Sequence, residues 1–378
     1  MAEFEFTRDA LKRGLNMVKT VKPSVGDFSF SFSGKGLTLF SFDNRRYIRV
    51  EVEPSNSVVA EPDYRSDEFY IFIDKTAIFD TELDNIHISV NDAALNVKAS
   101  GGGQTRRSSL KKRSTKNRRP PVPKFPDLDF FDVNKATFDE VLRTVSCSAS
   151  VKEGKTEDDM RTMQVHFHNN GYATSATRYH ASYVQIDGLD IDASIISADI
   201  PAIRSFISKI QNDSIGFAQD KDKIYFADLA TRSFLALSKI AAEKPKFELL
   251  GGDFGTQITV DQELLQRNLK WAALVVERTQ RVTLSAVRSD PDSDQGSLVI
   301  SFQKQEADGI PVTFVSGQSL QVDVPIDKLT HIVGYTEEKV IIKHGHSMNS
   351  ALLEISSQSE KLSVKSHHYL ASMKSNES

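Results

Sequence analysis

Hydrophobic and polar residues alternate along this chain in a pattern that recurs six times. Each copy is a short strand of period two that ends at Asp, Asn or Thr, continues into an amphipathic helix of about a dozen residues, and is followed by further strands. The predicted helix-start residues are Thr7, Asp74, Asn134, Asp199, Asp261 and Asp327. Subtracting neighbouring positions gives intervals of 60 to 67 residues, which indicates that one structural unit is reused throughout.

We expect the six units to pair into three domains of one fold, at residues 1–126, 127–249 and 250–378, the last ending in a short polar tail. The first boundary lies at the Pro-rich RRPPVPKFP, and the second lies just before GGDFG. Segments such as MQVHFH and SIGFAQ have the alternation of half-buried antiparallel strands. The predicted fold class is therefore α+β, with two β-α-β-β-β units in each domain.

Composition and termini indicate a soluble protein of the cytoplasm. Of the 378 residues, 39% are hydrophobic and 26% are charged, and no apolar run approaches the roughly 20 residues of a membrane span. The amino terminus runs directly into the first strand and leaves no room for a secretory signal. The single cysteine, Cys147, cannot form an internal disulfide and has no His nearby in the sequence. We predict that it is a buried structural residue.

Charge is distributed unevenly, although the net charge is only −4. A basic tract between Ser100 and Pro126 holds nine cations and no acid, so the rest of the chain is more acidic than the whole. Localised positive charge on an acidic body admits polyanions at chosen places. The tract from Arg106 to Arg119 has two interpretations, a disordered arm or a nucleic-acid contact.

Each predicted helix has at least one cation on its outward face. If the strands form a continuous curved sheet, the helices pack on one side of it and their cations collect on a concave lining. Such a lining would bind duplex DNA without reading its sequence, whereas on any single helix the same cations would be ordinary solvated residues. The candidate DNA-binding residues are Arg8, Lys12, Lys19, Lys75, Lys135, Arg143, Arg204, Lys209, Arg267, Lys270 and Lys328, with Arg106 and Arg107 of the tract.

Several segments resemble the bacterial β sliding clamp, the processivity factor of replicative DNA polymerase. YATSATRYHASYV is similar to a family strand that reads A-T-D-G-H-R-L-A, and SKIAAEKPKFELL to a stretch that ends F-P-D-Y-R-R-V. KASGGGQTRRSSLKKR, before KFPDLD, resembles an end-of-domain strand, and KWAALVVER resembles the helix end at the subunit interface. The resemblance covers the whole chain. It implies three clamp domains with antiparallel sheets outside and helices lining a central hole.

The same resemblance implies a head-to-tail homodimeric ring that encircles duplex DNA, tethers the polymerase and is placed by a clamp loader. It implies a partner-peptide pocket at Thr174, Ala176, Thr177, Arg178, Tyr179, Pro245, Leu249 and Leu250, and because the C-terminal ending differs, its last wall is predicted at Leu362, Val364 and Tyr369. It also implies an interface at Leu110, Leu274 and Val275, which could equally be core positions. The family's Asp-Gly-His and its C-terminal ending are replaced here, as would suit a divergent, phage-encoded clamp.

Two other classes of protein compete with this interpretation. An enzyme could use the paired histidines His166 and His168, His344 and His346, or His367 and His368. None of these pairs has the helix-borne spacing of a metallohydrolase, which favours surface or core histidines, and GGGQT and GGDFG lack the Lys-Ser/Thr of a phosphate loop. We therefore predict no catalysis, no metal and no cofactor. A nucleic-acid-binding scaffold that never closes into a ring, using the tract from Arg106 to Arg119, is the second alternative.

Overall fold

Antiparallel strands dominate the computed structural model of this chain. The described residues are 2–24, 26–59, 64–66, 68–72, 76, 79, 82–91, 94–111, 121–149, 163–177, 180–186, 191–241, 244, 253–276, 281–302, 305–347, 350–359 and 364–372. They form two compact units, Met1–Lys135 with Pro201–Lys239 and Ala136–Ile200 with Ile240–Ser378. The division into three domains therefore stays a prediction. None of the described helices is long and apolar enough to cross a membrane.

The described residues form five helices, each preceded by a strand. They are α1 (Arg8–Val18), α2 (Lys135–Val145), α3 (Ile200–Ile207), α4 (Gln262–Val275) and α5 (Ile326–Val333). The strands of the first half are β1 (Ala2–Thr7), β2 (Asp27–Ser33), β3 (Gly36–Phe42), β4 (Arg46–Val52), β5 (Asn56–Val59), β6 (Phe69–Phe72), β7 (Asn85–Val90), β8 (Ala94–Gly101), β9 (Gln104–Lys111), β10 (Phe131–Asn134), β11 (Gln164–His168), β12 (Tyr172–Ala176), β13 (His180–Gln185) and β14 (Ala193–Ile196). Those of the second half are β15 (Ser214–Gln219), β16 (Lys223–Asp228), β17 (Ser233–Ser238), β18 (Asp253–Asp261), β19 (Arg281–Arg288), β20 (Gln295–Phe302), β21 (Gln305–Glu306), β22 (Ile310–Ser316), β23 (Ser319–Pro325), β24 (Lys339–Ser347), β25 (Ser350–Ser359) and β26 (Val364–Ser372).

Side-chain caps explain where two of the helices begin. The hydroxyl oxygen of Thr7 accepts a hydrogen bond from the backbone N–H of Ala10 at 3.3 Å, and the carboxylate of Asp261 accepts one from Leu264 at 2.9 Å. Each bond satisfies a backbone donor that the helix itself leaves unpaired. Asn134 likewise directly precedes α2, as its pattern predicts.

The other predicted helix starts have different outcomes. Asp199 ends a 3₁₀ turn that leads into α3. Asp327 is not a cap: α5 begins after Pro325, which places the Asp327 carboxylate in the first turn, where the positive end of the helix dipole stabilises it. Asp74 and most of the helix predicted after it lie outside the described residues, and two described residues of that segment, Thr76 and Phe79, are buried.

All strand pairings in the two compact units are antiparallel, and the sheets bury the apolar stripes of the helices. The first unit contains a five-stranded sheet, β5-β1-β7-β8-β9, and an eight-stranded sheet, β10-β15-β16-β17-β4-β3-β2-β6. The second contains the order β14-β11-β12-β13-β26-β25-β24-β18-β22-β20-β19-β23, with β21 on β20. Helix α1 packs so closely on the first unit's strands that a Cβ at Gly14 would lie 2.4 Å from Cγ2 of Val52.

The same type of strand pairing joins consecutive predicted domains twice. Strand β17, the last of the second predicted domain, pairs with β4 of the first, with Phe234 opposite Arg49. Strand β26, the last of the third, pairs with β13 of the second, with His180 opposite Leu370. In both cases the last described strand of one predicted domain adds to the fourth strand of the domain before it.

Part of the basic tract forms a strand, so the disordered-arm interpretation does not hold for residues Arg106 to Lys111. Residues Arg106 to Lys111 belong to β9, and all of β9 pairs with β8, from Gly101 opposite Gln104 to Ala94 opposite Lys111. This agrees with the end-of-domain strand that the resemblance implied. The remainder of the tract, from Lys112 to Arg119, lies outside the described residues.

Candidate nucleic-acid and subunit interfaces

The candidate DNA-binding cations of the first compact unit differ in their exposure and in whether they already make hydrogen bonds within the protein. Lys12 and Lys19 are exposed on and beside α1, and Arg8 and Arg204 are half-buried. The ammonium of Lys209 donates hydrogen bonds to the backbone oxygen of Asn16 at 2.7 Å and to Thr20 Oγ1 at 2.9 Å.

These hydrogen bonds make Lys209 a link between α1 and the end of α3, and burial lowers its pKa. Lys135 is similarly engaged, because its Nζ donates to the backbone oxygen of Ile210 at 2.9 Å. Lys12 and Lys19 are therefore better placed than Lys135 and Lys209 to meet a phosphate. Lys75 lies outside the described residues.

The second compact unit shows the same division between exposed and engaged cations. Arg143 donates from Nε to Glu140 Oε2 at 2.8 Å, and this hydrogen bond raises its pKa. Its guanidinium lies 5.1 Å from the centre of the Tyr335 ring, beyond the end of α5. Arg267, Lys270 and Lys328 are exposed on α4 and α5. Exposed cations on α1, α4 and α5 are thus the diffuse positive charges that a phosphate backbone would attract.

Strand β9 presents a basic edge. Arg106 and Arg107 are exposed, and Leu110 is half-buried opposite Leu95 of β8. Among the described residues β9 pairs with β8 alone, so its other edge retains unpaired backbone donors and acceptors. An open edge of this length invites another strand to pair with it.

The C-terminal end of α4 exposes apolar surface. The buried stripe of α4 consists of Leu265, Leu269 and Ala272 at helical spacing, and Leu274 and Val275 fall outside that stripe. Leu274 is 86% exposed and Val275 45% exposed. Neither is a core position in this chain, which removes the alternative raised by the sequence and leaves the subunit interface as a prediction.

A groove of about 470 Å³ lies beside this apolar end. Trp271 of α4 lines it, together with the segment from Glu306 to Pro311, which includes the end of β21 and the start of β22. Within the described part of the chain β21 pairs only with β20, so a second short edge is open here. The groove therefore combines an aromatic ring, an open strand edge and the acidic side chains of Glu306 and Asp308.

The described part of the predicted partner pocket is divided between two places. Thr174 is fully buried, with its Oγ1 2.9 Å from Nε2 of His168, and Ala176 and Thr177 are half-buried at the end of β12. Val364 is buried at the start of β26, beyond the opposite end of β13. The other predicted pocket residues, Arg178, Tyr179, Pro245, Leu249, Leu250 and Leu362, lie outside the described residues.

The register of strands β12, β13 and β26 shows which residue of the C-terminal strand is level with Ala176. Ala176 pairs with Ala181, and Ala181 pairs with Tyr369 of β26. Tyr369 is half-buried, and burial raises the pKa of its phenol. Tyr369, one of the three predicted wall residues of the C-terminal segment, is therefore level with Ala176 across the intervening β13.

The histidines of β11 are core residues. His166 Nδ1 lies 2.8 Å from Ser194 Oγ, and His168 is held by Thr174. Burial lowers the pKa of each imidazole to about 4, so both are neutral near neutral pH. Their hydroxyl partners account for them without a metal.

Cys147 is buried as predicted, and burial raises the pKa of its thiol to about 11. No His lies near Cys147 along the sequence, but the fold brings one close. In the fold, Cys147 Sγ lies 3.4 Å from Nδ1 of His368, a residue of the last strand.

The repeated helices, antiparallel sheets and strand junctions define the fold of a sliding clamp. The structure of the DNA polymerase III subunit beta from Pseudomonas aeruginosa is similar over 99% of this chain and 100% of its own, with a TM-score of 0.75 and 16% sequence identity. The beta subunit of the DNA polymerase of Streptococcus pyogenes covers the same shares with a TM-score of 0.76 and 13% identity. The DNA polymerase sliding clamp from Bacillus subtilis covers 99% of both chains with a TM-score of 0.75 and 11% identity.

These likenesses confirm the predicted fold class over essentially the whole chain. No family model matches the sequence, and no curated protein matches it by sequence. At 11 to 16% identity the agreement lies in the order and geometry of the elements, and the chain is a divergent example of the fold.

Proposed function

We propose that this chain is a sliding clamp for DNA replication. Two copies close head to tail into a ring around duplex DNA, and the ring tethers the replicative polymerase during synthesis. The observation that carries the proposal is the likeness in fold to DNA polymerase beta subunits over 99% of the chain.

The two internal strand junctions support closure between copies. If the rule that joins β17 to β4 and β26 to β13 also applies between two copies, the last described strand of the first predicted domain meets the fourth strand of a partner's last domain. Those strands are β9 and the segment from β21 into β22. Strands β9 and β21 each have an open edge within the described residues, whereas β22 already pairs with β18 and β20, so pairing β9 with β21 between copies would cover both open edges.

Charge and apolar surface favour the same pairing. Strand β9 carries Arg106 and Arg107, whereas the partner's segment carries Glu306 and Asp308. Complementary charge of this kind fixes which surfaces meet and in which orientation. The exposed Leu274 lies on the same helix as the wall of the groove and would be covered there. Arg106 and Arg107, predicted as DNA contacts, then lie at the seam between subunits.

The ring would act by enclosure and not by catalysis. Escape from a closed ring requires an interface to open or a DNA end to be reached, so tight DNA binding is unnecessary. Exposed cations such as Lys12 and Arg267 supply weak contacts, each of which contributes about −0.9 to the slope of log affinity against log salt. Weak, sequence-independent contacts permit sliding.

Partner proteins would bind by a short extended peptide. The proposed site is the predicted pocket at the ends of β12 and β13, where β26 lies alongside. An apolar peptide inserted there would connect the polymerase, and at another time the clamp loader, to the ring. Because the described pocket residues differ from the family's strand, we expect this chain to prefer a peptide sequence of its own.

Disulfide cross-linking between copies tests the proposed seam. Ser109 on β9 and Gln305 on β21 are replaced with Cys, singly and together, in the full chain, whose native Cys147 is buried. Oxidation should link chains into dimers in the double variant and leave each single variant monomeric on a denaturing gel. Equal cross-linking of either single variant would show that like surfaces meet, and it would contradict head-to-tail closure. A chain that stays monomeric would favour the scaffold that never closes.

A further inference from the structure

Three side chains that commonly bind metals meet inside the second compact unit. Cys147 lies in the 3₁₀ turn Ser146–Ser148 after α2, His180 begins β13, and His368 lies in β26. They are 8%, 2% and 0% exposed, and one donor atom from each lies within 4.8 Å of the donor atoms of the other two. Antiparallel pairing of β13 with β26 brings the histidines together, because His180 is opposite Leu370, two positions from His368.

Hydrogen bonding accounts for only part of this cluster. Ser182 Oγ lies 2.8 Å from Nδ1 of His368 and 3.3 Å from Sγ of Cys147. The Nε2 atoms of His180 and His368 are both buried, and within the part of the chain that the structure describes neither has a hydrogen-bond partner. Buried polar atoms without partners are rare in native proteins, and each one calls for an explanation. His166, in the same unit, differs because its Nδ1 has a hydrogen-bond partner, the hydroxyl of Ser194.

We propose that Cys147, His180 and His368 bind one divalent transition-metal ion of the zinc type. Thiolate sulfur and imidazole nitrogen are the ligands that Zn²⁺ prefers, and the absence of a carboxylate from this described cluster disfavours Mg²⁺ and Ca²⁺. Zinc bonds of about 2.3 Å to sulfur and about 2.0 Å to nitrogen at a tetrahedral angle place the two ligand atoms about 3.6 Å apart. The observed separation of Cys147 Sγ and His368 Nδ1 is 3.4 Å, so Nδ1 is the His368 atom placed to coordinate, and of the two unpartnered nitrogens the ion would satisfy Nε2 of His180.

The protonation states suit this role. Burial lowers the pKa of both His180 and His368, so each imidazole is neutral and offers a lone pair. The thiol of Cys147 is protonated without metal and releases its proton on coordination. The hydroxyl of Ser182 lies against both Cys147 Sγ and His368 Nδ1, and it would be the fourth ligand once Nδ1 coordinates the ion.

Such an ion would be structural. It would join the turn after α2 to β13 and to the last strand of the chain, which are distant in sequence. These elements form the junction between the second and third predicted domains. The ion would therefore stabilise that junction, close to the predicted partner pocket, and would be bound when the chain folds.

Cobalt substitution tests the site in the unmodified protein. Tag-free full-length chain is freed of metal by a chelator and titrated with Co²⁺ and then with Zn²⁺, without DNA or partner proteins. A thiolate-to-cobalt charge-transfer band and tetrahedral visible bands should saturate at one ion per chain, and Zn²⁺ should abolish them. Because the chain has a single cysteine, a thiolate band can come only from Cys147.

Variants provide a second readout. Cys147→Ser and His368→Gln should each weaken zinc affinity at least tenfold and remove the rise in melting temperature that zinc produces, whereas the control His166→Gln should leave both unchanged. The proposal is wrong if the unmodified chain shows no thiolate band, or if Cys147→Ser still retains one tightly bound zinc ion by mass spectrometry. The cobalt titration decides the question even if a variant fails to fold, and its result does not depend on whether the chain forms a ring.

Discussion

The substitution Leu274→Ala should weaken the dimer and leave the stability of the folded monomer nearly unchanged. The Leu274 side chain is 86% exposed in the single chain, outside the buried stripe of α4. Leu274→Ala should therefore change the free energy of unfolding of the monomer by no more than about 0.5 kcal/mol, as for an ordinary surface substitution. If the side chain is buried against a partner, the same change should weaken the dimer strongly.

The size of the effect follows from the apolar group that is lost. Leu→Ala removes three carbon atoms, each contributing about 0.8 kcal/mol when buried, so about 2.4 kcal/mol is lost at one interface. A head-to-tail dimer contains two such interfaces, which gives about 5 kcal/mol for the ring. Since about 1.4 kcal/mol changes an equilibrium constant tenfold, the dimer dissociation constant should rise by three to four orders of magnitude.

Sedimentation equilibrium measures this constant directly. The unmodified chain should have twice the 42.1 kDa mass of one chain, and the Leu274→Ala variant should approach the mass of one chain at micromolar concentration. Val58→Ala is the matched control, because Val58 is 65% exposed on β5, away from the proposed seam. If the two variants dissociate equally, or if the unmodified chain is a monomer, the assignment of Leu274 to the interface is refuted.

Three further predictions test packing, charge and titration. Leu269→Ala creates a cavity beneath α4 and should cost about 2 to 5 kcal/mol of unfolding free energy in urea, unlike Leu274→Ala; an equal cost for both would refute the stripe assignment. Replacing Lys12 and Arg267 with Gln should reduce the salt dependence of DNA binding by about 0.9 per lost contact in fluorescence titrations, and an unchanged slope would exclude them as contacts. His166 binds a proton more readily in the unfolded chain, because burial lowers its pKa to about 4. Stability should fall by up to about 3 kcal/mol as pH decreases from about 6.5 to 4, and His166→Gln should flatten that decrease; an unchanged pH profile would contradict it.

Local sequence signals predict much of this fold because the interactions behind them are local. Thr7 and Asp261 mark helix starts, since each side chain bonds to a backbone N–H three residues later. The buried stripe of α4 follows from helical periodicity in the same way. The prediction that Asp327 caps α5 was wrong. An acidic residue is favoured both as a helix cap and inside the first turn, and only the backbone conformation shows which position it occupies.

Non-local contacts explain what the sequence could not predict. Lys209 and Arg143 have the helical positions of outward cations, yet contacts with neighbouring elements engage both. Cys147 and His368 are separated by 221 positions and meet only through the pairing of β13 with β26. The register of β26 likewise decides that Tyr369, and not Val364, is level with Ala176 across β13. None of these relations leaves a periodic signal.

Topological retention on DNA tests the central claim of encirclement most directly. The protein is loaded on nicked circular duplex DNA, washed at high salt, and assayed before and after one cut that makes the circle linear. A ring held by enclosure should survive the wash, because salt screens its weak contacts without opening it, and should then slide off the cut DNA. Equal loss before and after cutting would show that the protein is held by affinity alone, and would contradict encirclement.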